Sequence, residues 1–316
     1  MVAPARPTSV AGAGASLGAP ADYLALTKPR IVALVLVTVA AGFVVALPAA
    51  ARVGFEGNAG TSPLLVQLWI LANLLTGTAL VAGGTNALNQ IAERDVDLLM
   101  HRTRQRPIPA GRLDPTTARW FAWSIAVLGT AQLALLVNLT TAVLAALTLV
   151  SYVFAYTPLK RRSSIATLVG AIPGALPIVG GWAATGAPLD VGAWVLFGIL
   201  FLWQMPHFLA LSWMYRADYA RAGLRMLSIE DETGAMTFRQ AALNAAALVP
   251  ISLMPAALGI AGRVYFIVAI AVSAMLLVLS IAAARSPSPK SARRLFLSTL
   301  AYLPVLLGAL VANRLI

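Results

Sequence analysis

Two amides and two carboxylates at the end of an apolar run, Asn86, Asn89, Glu93 and Asp97, have types and spacing that suggest chemistry. In a continuous helix at about 100° per residue, with Asn86 as zero, Asn89 falls at about 300°, Glu93 at about 340° and Asp97 at about 20°. The four then share one face. Asp95 falls at about 180°, on the opposite side, and is left out of the candidate site. Carboxylates one turn apart repel each other and are costly near lipid unless a cation compensates them. Hard oxygen ligands at this spacing suit Mg2+, which takes one or two carboxylates, several waters and the oxygens of a substrate phosphate. The alternative is a solvated helix end neutralised by neighbouring arginines.

Immediately downstream lies His101-Arg102-Thr103-Arg104-Gln105-Arg106-Pro107-Ile108-Pro109-Ala110-Gly111-Arg112. Arginine forks match phosphate oxygens bidentately, and prolines with a glycine favour a compact non-helical loop. An acidic face followed by such a loop is what a metal-bridged diphosphate needs. A second cluster, Tyr156-Thr157-Pro158-Leu159-Lys160-Arg161-Arg162, places an aromatic at a span end before a run of cations. Its plainer reading is a belt residue beside charges that set topology. A third stretch contains Trp203, Pro206 and His207, followed by Tyr215, Arg216, Asp218 and Tyr219. His207 precedes the apolar Phe208-Leu-Ala-Leu211, so it is expected inside the membrane near the cytoplasmic surface, just past a proline able to interrupt the helix. An ionisable side chain there is a functional candidate, against the common alternative of a hydrogen-bonded structural histidine.

The elements that must position these groups are set by composition. Of 316 residues, 59% are hydrophobic and 11% charged, with mean hydropathy +0.83. Soluble domains carry roughly a quarter charged residues, so a soluble globular protein is excluded. The apolar runs approach 20 residues, the length a helix needs to cross a bilayer, and do not alternate as barrel strands do. The expected architecture is all-α: nine transmembrane helices in one bundle, at about 31–48, 64–88, 117–137, 140–158, 165–185, 191–213, 237–259, 264–284 and 295–313. Asn138 and Leu139 alone separate the third and fourth, which demands a tight turn.

The net charge of +12 does not imply nucleic acid, because 20 of the 23 cations lie at the N-terminus and in the 2–3, 4–5, 6–7 and 8–9 loops. By the positive-inside rule those segments are cytoplasmic, and nine spans put the C-terminus outside. Eight of the eleven acids lie in two of these cytoplasmic loops, 89–116 and 214–236. The absence of cysteine excludes disulfides, thiolate metal sites and a cysteine nucleophile. Residues 1–22 are expected to form a disordered tail and 23–316 the membrane domain. A transporter, which nine spans would also suit, is expected to place polar groups on the non-cytoplasmic side, and little is found there besides Arg52, Glu56, Asp190 and Arg263.

In these motifs the chain resembles the intramembrane aromatic prenyltransferase superfamily, and within it the protoheme IX farnesyltransferase (heme O synthase) family. The superfamily pattern Asn-x3-Asp-x3-Asp is matched by Asn89, Glu93 and Asp97, with Glu in place of the first Asp, and Arg-Thr-x2-Arg-Pro by Arg102, Thr103, Arg106 and Pro107. The heme branch is matched by Asn-Ala-Leu-Asn-Gln at 86–90, Tyr-Thr-Pro with its Lys-Arg cluster at 156–162, Trp-x-x-Pro-His-Phe at 203–208 and Asp-Tyr-x-x-Ala-Gly at 218–223. The likeness covers about 23–313. The second acidic motif is poor in acids here, which counts against a second carboxylate-bound Mg2+.

The resemblance implies farnesyl transfer from farnesyl diphosphate to the vinyl group of protoheme IX (heme b), a substrate and not a resident cofactor, giving heme O. Asn89, Glu93 and Asp97 would hold Mg2+ with the diphosphate, and Arg102, Arg106, Lys160 and Arg161 would contact its oxygens. Asp218 and Tyr219 would close the other side, and Asn86, Tyr156 and Arg216 would join the substrate-binding set. His207 would contact the heme iron or a propionate. The implied setting is the bacterial inner membrane, with heme A synthase as a downstream partner and a quinone precursor or chlorin as the alternative acceptor.

Overall fold

The computed structural model describes residues 18–51 and 62–315. Every element among them is helical: α1 (Pro20–Thr27), α2 (Pro29–Ala51), α3 (Pro63–Ala92), α4 (Arg94–Leu99), α5 (Pro115–Leu136), α6 (Leu139–Val150), a π-helical segment (Ser151–Tyr156), α7 (Thr157–Leu159), α8 (Ala166–Ala184), α9 (Val191–Met214), α10 (Arg216–Arg221), α11 (Leu227–Glu230), α12 (Ala235–Ala257), α13 (Arg263–Arg285) and α14 (Pro289–Leu315). Nine helical stretches among the described residues are long and apolar enough to cross a membrane. They match the nine expected spans. Prolines open α2, α3, α5 and α14, where a missing N–H costs no intrahelical bond. The expected tight turn is made by Asn138, whose side chain accepts from Thr141 N at 2.9 Å and so caps α6.

Of the expected tail, residues 1–17 lie outside the described residues, but Pro20–Asp22 already form the start of α1. Asp22 fixes that start by accepting from Ala19 N and pairing with Arg112 of the 2–3 loop at 2.8 Å. Arg52 and Glu56 also lie outside the described residues.

The bundle buries two apolar cores, one spread over α8, α9, α12, α13 and α14 and another over α2, α3, α5 and α6. Between lipid-facing helices there is no hydrophobic drive to associate, so small residues that let backbones approach carry the packing. At the α2–α8 crossing, a Cβ on Gly181 would sit 2.0 Å from Val39 O, and one on Gly42 would sit 2.1 Å from Ile178 O. No side chain fits at either position. Buried hydroxyls join α12, α13 and α14: Tyr302 Oη lies 2.5 Å from Ser252 Oγ, and Tyr265 Oη donates to Ser252 O at 2.8 Å.

A third, smaller apolar cluster lies outside the spans. Val96 of α4 and Met100 pack with Tyr219, Ala222, Leu224 and Met226 of the 6–7 loop. The 6–7 loop is also tied to the 4–5 loop by Arg225 N donating to Lys160 O at 2.9 Å. Three loops spread over more than 100 residues of the sequence therefore meet over the end of α3.

Candidate active site

The acidic face forms, but not on one continuous helix. α3 ends at Ala92 and α4 starts at Arg94, with Glu93 at φ −98°, ψ 5° between them. The i to i+4 bonds continue across this break, Glu93 N to Asn89 O at 2.9 Å and Asp97 N to Glu93 O at 2.8 Å. The carboxylates therefore keep the expected side. Asn86, Asn89, Glu93 and Asp97 are all buried, Asp97 completely, whereas the Asp95 side chain is 75% exposed and pairs with Arg94.

Each buried acid has a cation, Glu93 one from the 4–5 loop and Asp97 one from its own 2–3 loop. Lys160 Nζ lies 2.9 Å from Glu93 Oε1, and Arg106 Nη1 lies 2.7 Å from Asp97 Oδ2. Thr103 Oγ1 donates to Asp97 O at 2.9 Å and so holds the Arg-rich loop against α4. Lys160 also sits 4.4 Å above the Tyr156 ring. Gly170 makes room for that ring, since a Cβ there would sit 2.6 Å from it.

Two partners of Asn89 were not singled out in the sequence. Its Oδ1 accepts from Lys28 Nζ at 3.1 Å, and its Nδ2 donates to Thr157 Oγ1 at 3.1 Å. Lys28 has φ 55°, the one non-glycine positive φ among the described residues, at the corner between α1 and α2. That left-handed corner turns the foot of the first span into the site. Thr157 is aimed by the π-helical segment, where its hydroxyl donates to Tyr152 O five residues back at 2.8 Å. Asn86 Nδ2 and Gln90 Nε2 anchor α3 to the carbonyls of Thr27 and Leu26.

The electrostatics follow from this pairing. Burial works to raise the pKa of Glu93, but the charges of Lys160, Lys28 and Arg106 hold it below the usual carboxylate range. Burial dominates at Asp97 and, with the Glu93 charge, keeps it above that range despite Arg106. Burial opposes the Lys160 ammonium, but Tyr156 and Glu93 keep its pKa well above the ordinary lysine value. At Lys28, burial and then the charge of Arg106 pull the pKa down to about 7. Cations here outnumber the acids they face.

Asp97 Oδ1 is buried and has no hydrogen-bond partner among the described residues. An unsatisfied carboxylate oxygen costs free energy unless something occupies it. Among the described residues no group of three or more His, Asp or Glu forms a metal cage. Two carboxylates and an amide are nevertheless donor types that Mg2+ takes alongside waters and phosphate oxygens.

Other candidates are placed differently. Tyr219 is buried against α4, where burial raises its phenol pKa within the field of Arg102 and Lys160. Asp218 is paired with Arg221 of its own helix and not with a cation of the acidic face. Arg102 stacks 5.2 Å over Tyr215 at the rim. Arg161 is exposed and makes no ion pair among the described residues. Arg216 lies 4.5 Å over the Trp213 ring and donates to Glu232 O at 3.4 Å, in a cleft with Pro287–Pro289 apart from the acids. His207 lies within α9, which runs unbroken through Pro206, and packs on α14.

A match to the UbiA prenyltransferase family profile extends over residues 35–303. The chain belongs to this family. It is 43% identical over 294 residues to the protoheme IX farnesyltransferase of Solibacter usitatus (strain Ellin6076), covering 93% of this chain and 98% of that protein. It is 44% identical over 290 residues to the protoheme IX farnesyltransferase of Anaeromyxobacter sp. (strain Fw109-5), covering 92% of each. The fold is similar to a solved structure of digeranylgeranylglyceryl phosphate synthase, with TM-score 0.74, 16% identity and coverage of 93% of this chain and 98% of that one. It is also similar to a UbiA homolog from Archaeoglobus fulgidus bound to GPP and Mg2+, with TM-score 0.57, 16% identity and coverage of 92% and 99%.

Proposed function

We propose that this membrane protein transfers the farnesyl group of farnesyl diphosphate to a vinyl group of protoheme IX, giving heme O in the bacterial inner membrane. The observation that carries the donor half is the pair of buried acids matched by Lys160 and Arg106, with Asp97 Oδ1 left unpartnered. The acceptor half rests on the activity named for relatives at 43% and 44% identity over most of both chains.

In the ligand-free protein, Lys160 and Arg106 neutralise the acids that would otherwise repel an incoming diphosphate. Mg2+, when bound to Asn89, Glu93 and Asp97, supplies divalent charge to the diphosphate and draws electron density from the breaking C–O bond. Lys160 and Arg106 would turn from the acids to the oxygens of a bound diphosphate, joined by Lys28 and, at the rim, Arg102. The farnesyl C1–O bond breaks and the electron pair leaves with diphosphate. The terminal vinyl carbon of the porphyrin attacks the allylic cation, a water adds to the inner vinyl carbon, and one proton is released. Tyr219 and the apolar cluster beneath it keep bulk water from the cation until that capture. The heme O produced would pass to heme A synthase as a downstream partner.

Purified protein in nanodiscs, given farnesyl diphosphate, Mg2+ and one acceptor at a time, tests this reading. Heme b should be prenylated and a quinone-precursor ring or a chlorin should not. Prenylation of either of those in preference to heme b would overturn the acceptor assignment.

A further inference from the structure

A groove of about 330 Å3 opens behind the acidic face, between the end of α3, the start of α5 and the π-helical segment. Counted from Asn86 as zero, Ile91, Asp95 and Leu88 fall at about 140°, 180° and 200°, so the groove lies across α3 from Asn89, Glu93 and Asp97. A diphosphate held by those acids does not reach it. Its floor is apolar, with Leu88 and Ile91 buried and Val153 of the π-helical segment beside them. Trp123 of α5 stacks on Phe154 of that segment, with ring centroids 6.5 Å apart, and Phe154 is 60% exposed, so this wall meets lipid. The rim is basic. Arg94, the first residue of α4, and Arg119, in the second turn of α5, line it against one acid, Asp95. Arg94 meets Asp95 at 3.5 Å in an exposed pair, which holds little, and Arg119 enters none of the ion pairs among the described residues.

We infer that this groove binds one anionic phospholipid, with its phosphate on Arg94 and Arg119 and an acyl chain laid along Leu88, Ile91 and Val153 beside the Trp123–Phe154 pair. Guanidinium forks match phosphate oxygens, and the two arginines stand at span ends, the depth at which headgroups lie. Two cations against one acid leave the rim positive, which favours a lipid of net negative charge over a zwitterionic one that brings its own cation. The apolar floor selects a chain-bearing ligand over free phosphate, because a small ion would leave it bare. The volume lies within the roughly 300–1,000 Å3 usual for bound small molecules. Seated there, the lipid joins α3, which carries the acids, to the π-helical segment, which aims Thr157, and so braces the donor site from behind.

The full-length protein, delipidated in detergent, is titrated with phosphatidylglycerol and, separately, with phosphatidylcholine; bound lipid is counted by native mass spectrometry and thermal melts are recorded in parallel. One phosphatidylglycerol should bind at least about tenfold more tightly than phosphatidylcholine and raise the melting temperature. Arg119→Gln should abolish that preference. Asp95→Asn, which removes the competing acid, should tighten phosphatidylglycerol binding about threefold, and Trp123→Ala should weaken both lipids alike. Arg293→Gln, which removes an exposed cation from the 8–9 loop, should leave both affinities unchanged. Inorganic phosphate should not displace the lipid. Equal affinity for the two lipids in wild type, displacement by inorganic phosphate, or a loss in Arg293→Gln as large as in Arg119→Gln overturns the site. Should Arg119→Gln fail to fold, the absence of any gain in Asp95→Asn overturns it as well. Lipid binding is measured without turnover, so its failure leaves the proposed reaction standing.

Discussion

Arg106 Nη1 lies 2.7 Å from Asp97 Oδ2, while Oδ1 of the same fully buried carboxylate has no partner. One oxygen is neutralised and the other has no partner among the described residues; in the proposed function it takes the metal. Asp97→Asn should therefore lower turnover at least ~100-fold with the protein still folded, because a ligand for both positioning and leaving-group charge is lost. Asp95→Asn, at a side chain 75% exposed, should stay within a few-fold of wild type, since exposed pairs contribute about 0–1 kcal/mol. Initial rates of both variants in detergent check this. Comparable losses would sink the one-face arrangement.

Lys28 reaches Asn89 from a strained left-handed corner, and its ammonium is within the field of both acids. Lys28→Ala should raise the Kd for farnesyl diphosphate at least about tenfold, or ~1.4 kcal/mol, with heme affinity unchanged. Isothermal titration with each substrate separately provides the measurement.

The path from sequence to site was uneven. The nine spans were legible because a bilayer imposes about 20 apolar residues per helix, and α2, α3, α5, the stretch from α6 to α7, α8, α9, α12, α13 and α14 follow that rule. The acids were legible because 100° per residue survives even the break at Glu93. Lys28 was not, since beside Pro29 it reads as an ordinary topogenic charge and a positive φ leaves no mark in a lysine. Thr157 was hidden because it owes its direction to a π-helical segment, which shifts the register that helical periodicity assumes. Arg216, three residues before Tyr219 in sequence, is turned at Tyr215 onto the Trp213 ring, a direction that sequence spacing does not carry.

Topology is checked by reporter fusions. The excess of 20 cations over 3 on one side predicts a cytoplasmic signal for a reporter after Ser288 and an external signal for one after Ile316. The same side for both would contradict an odd number of crossings.

Asp231 holds the start of α12 by accepting from Gly234 N at 3.0 Å and Thr237 N at 2.7 Å. Burial alone would raise its pKa, but these bonds and those from the Thr237 and Thr233 side chains hold it below the usual value. A depressed carboxylate pKa stabilises the fold above the unfolded value, near 4, and that contribution is lost as pH falls through the folded pKa. Asp231→Ala should cost about 1 kcal/mol at neutral pH, and the difference from wild type should shrink below pH 4. Thermal melts in detergent across pH 3 to 7 should show that convergence.

Mass spectrometry of the hemes extracted from a bacterial host that lacks heme farnesylation, expressing this chain, is the most direct measurement of what it makes. Farnesyl transfer predicts a new heme heavier than heme b by one farnesyl group and one hydroxyl group, absent when Asp97→Asn is expressed at the same level. Heme b alone, with a prenylated quinone precursor accumulating instead, would contradict it.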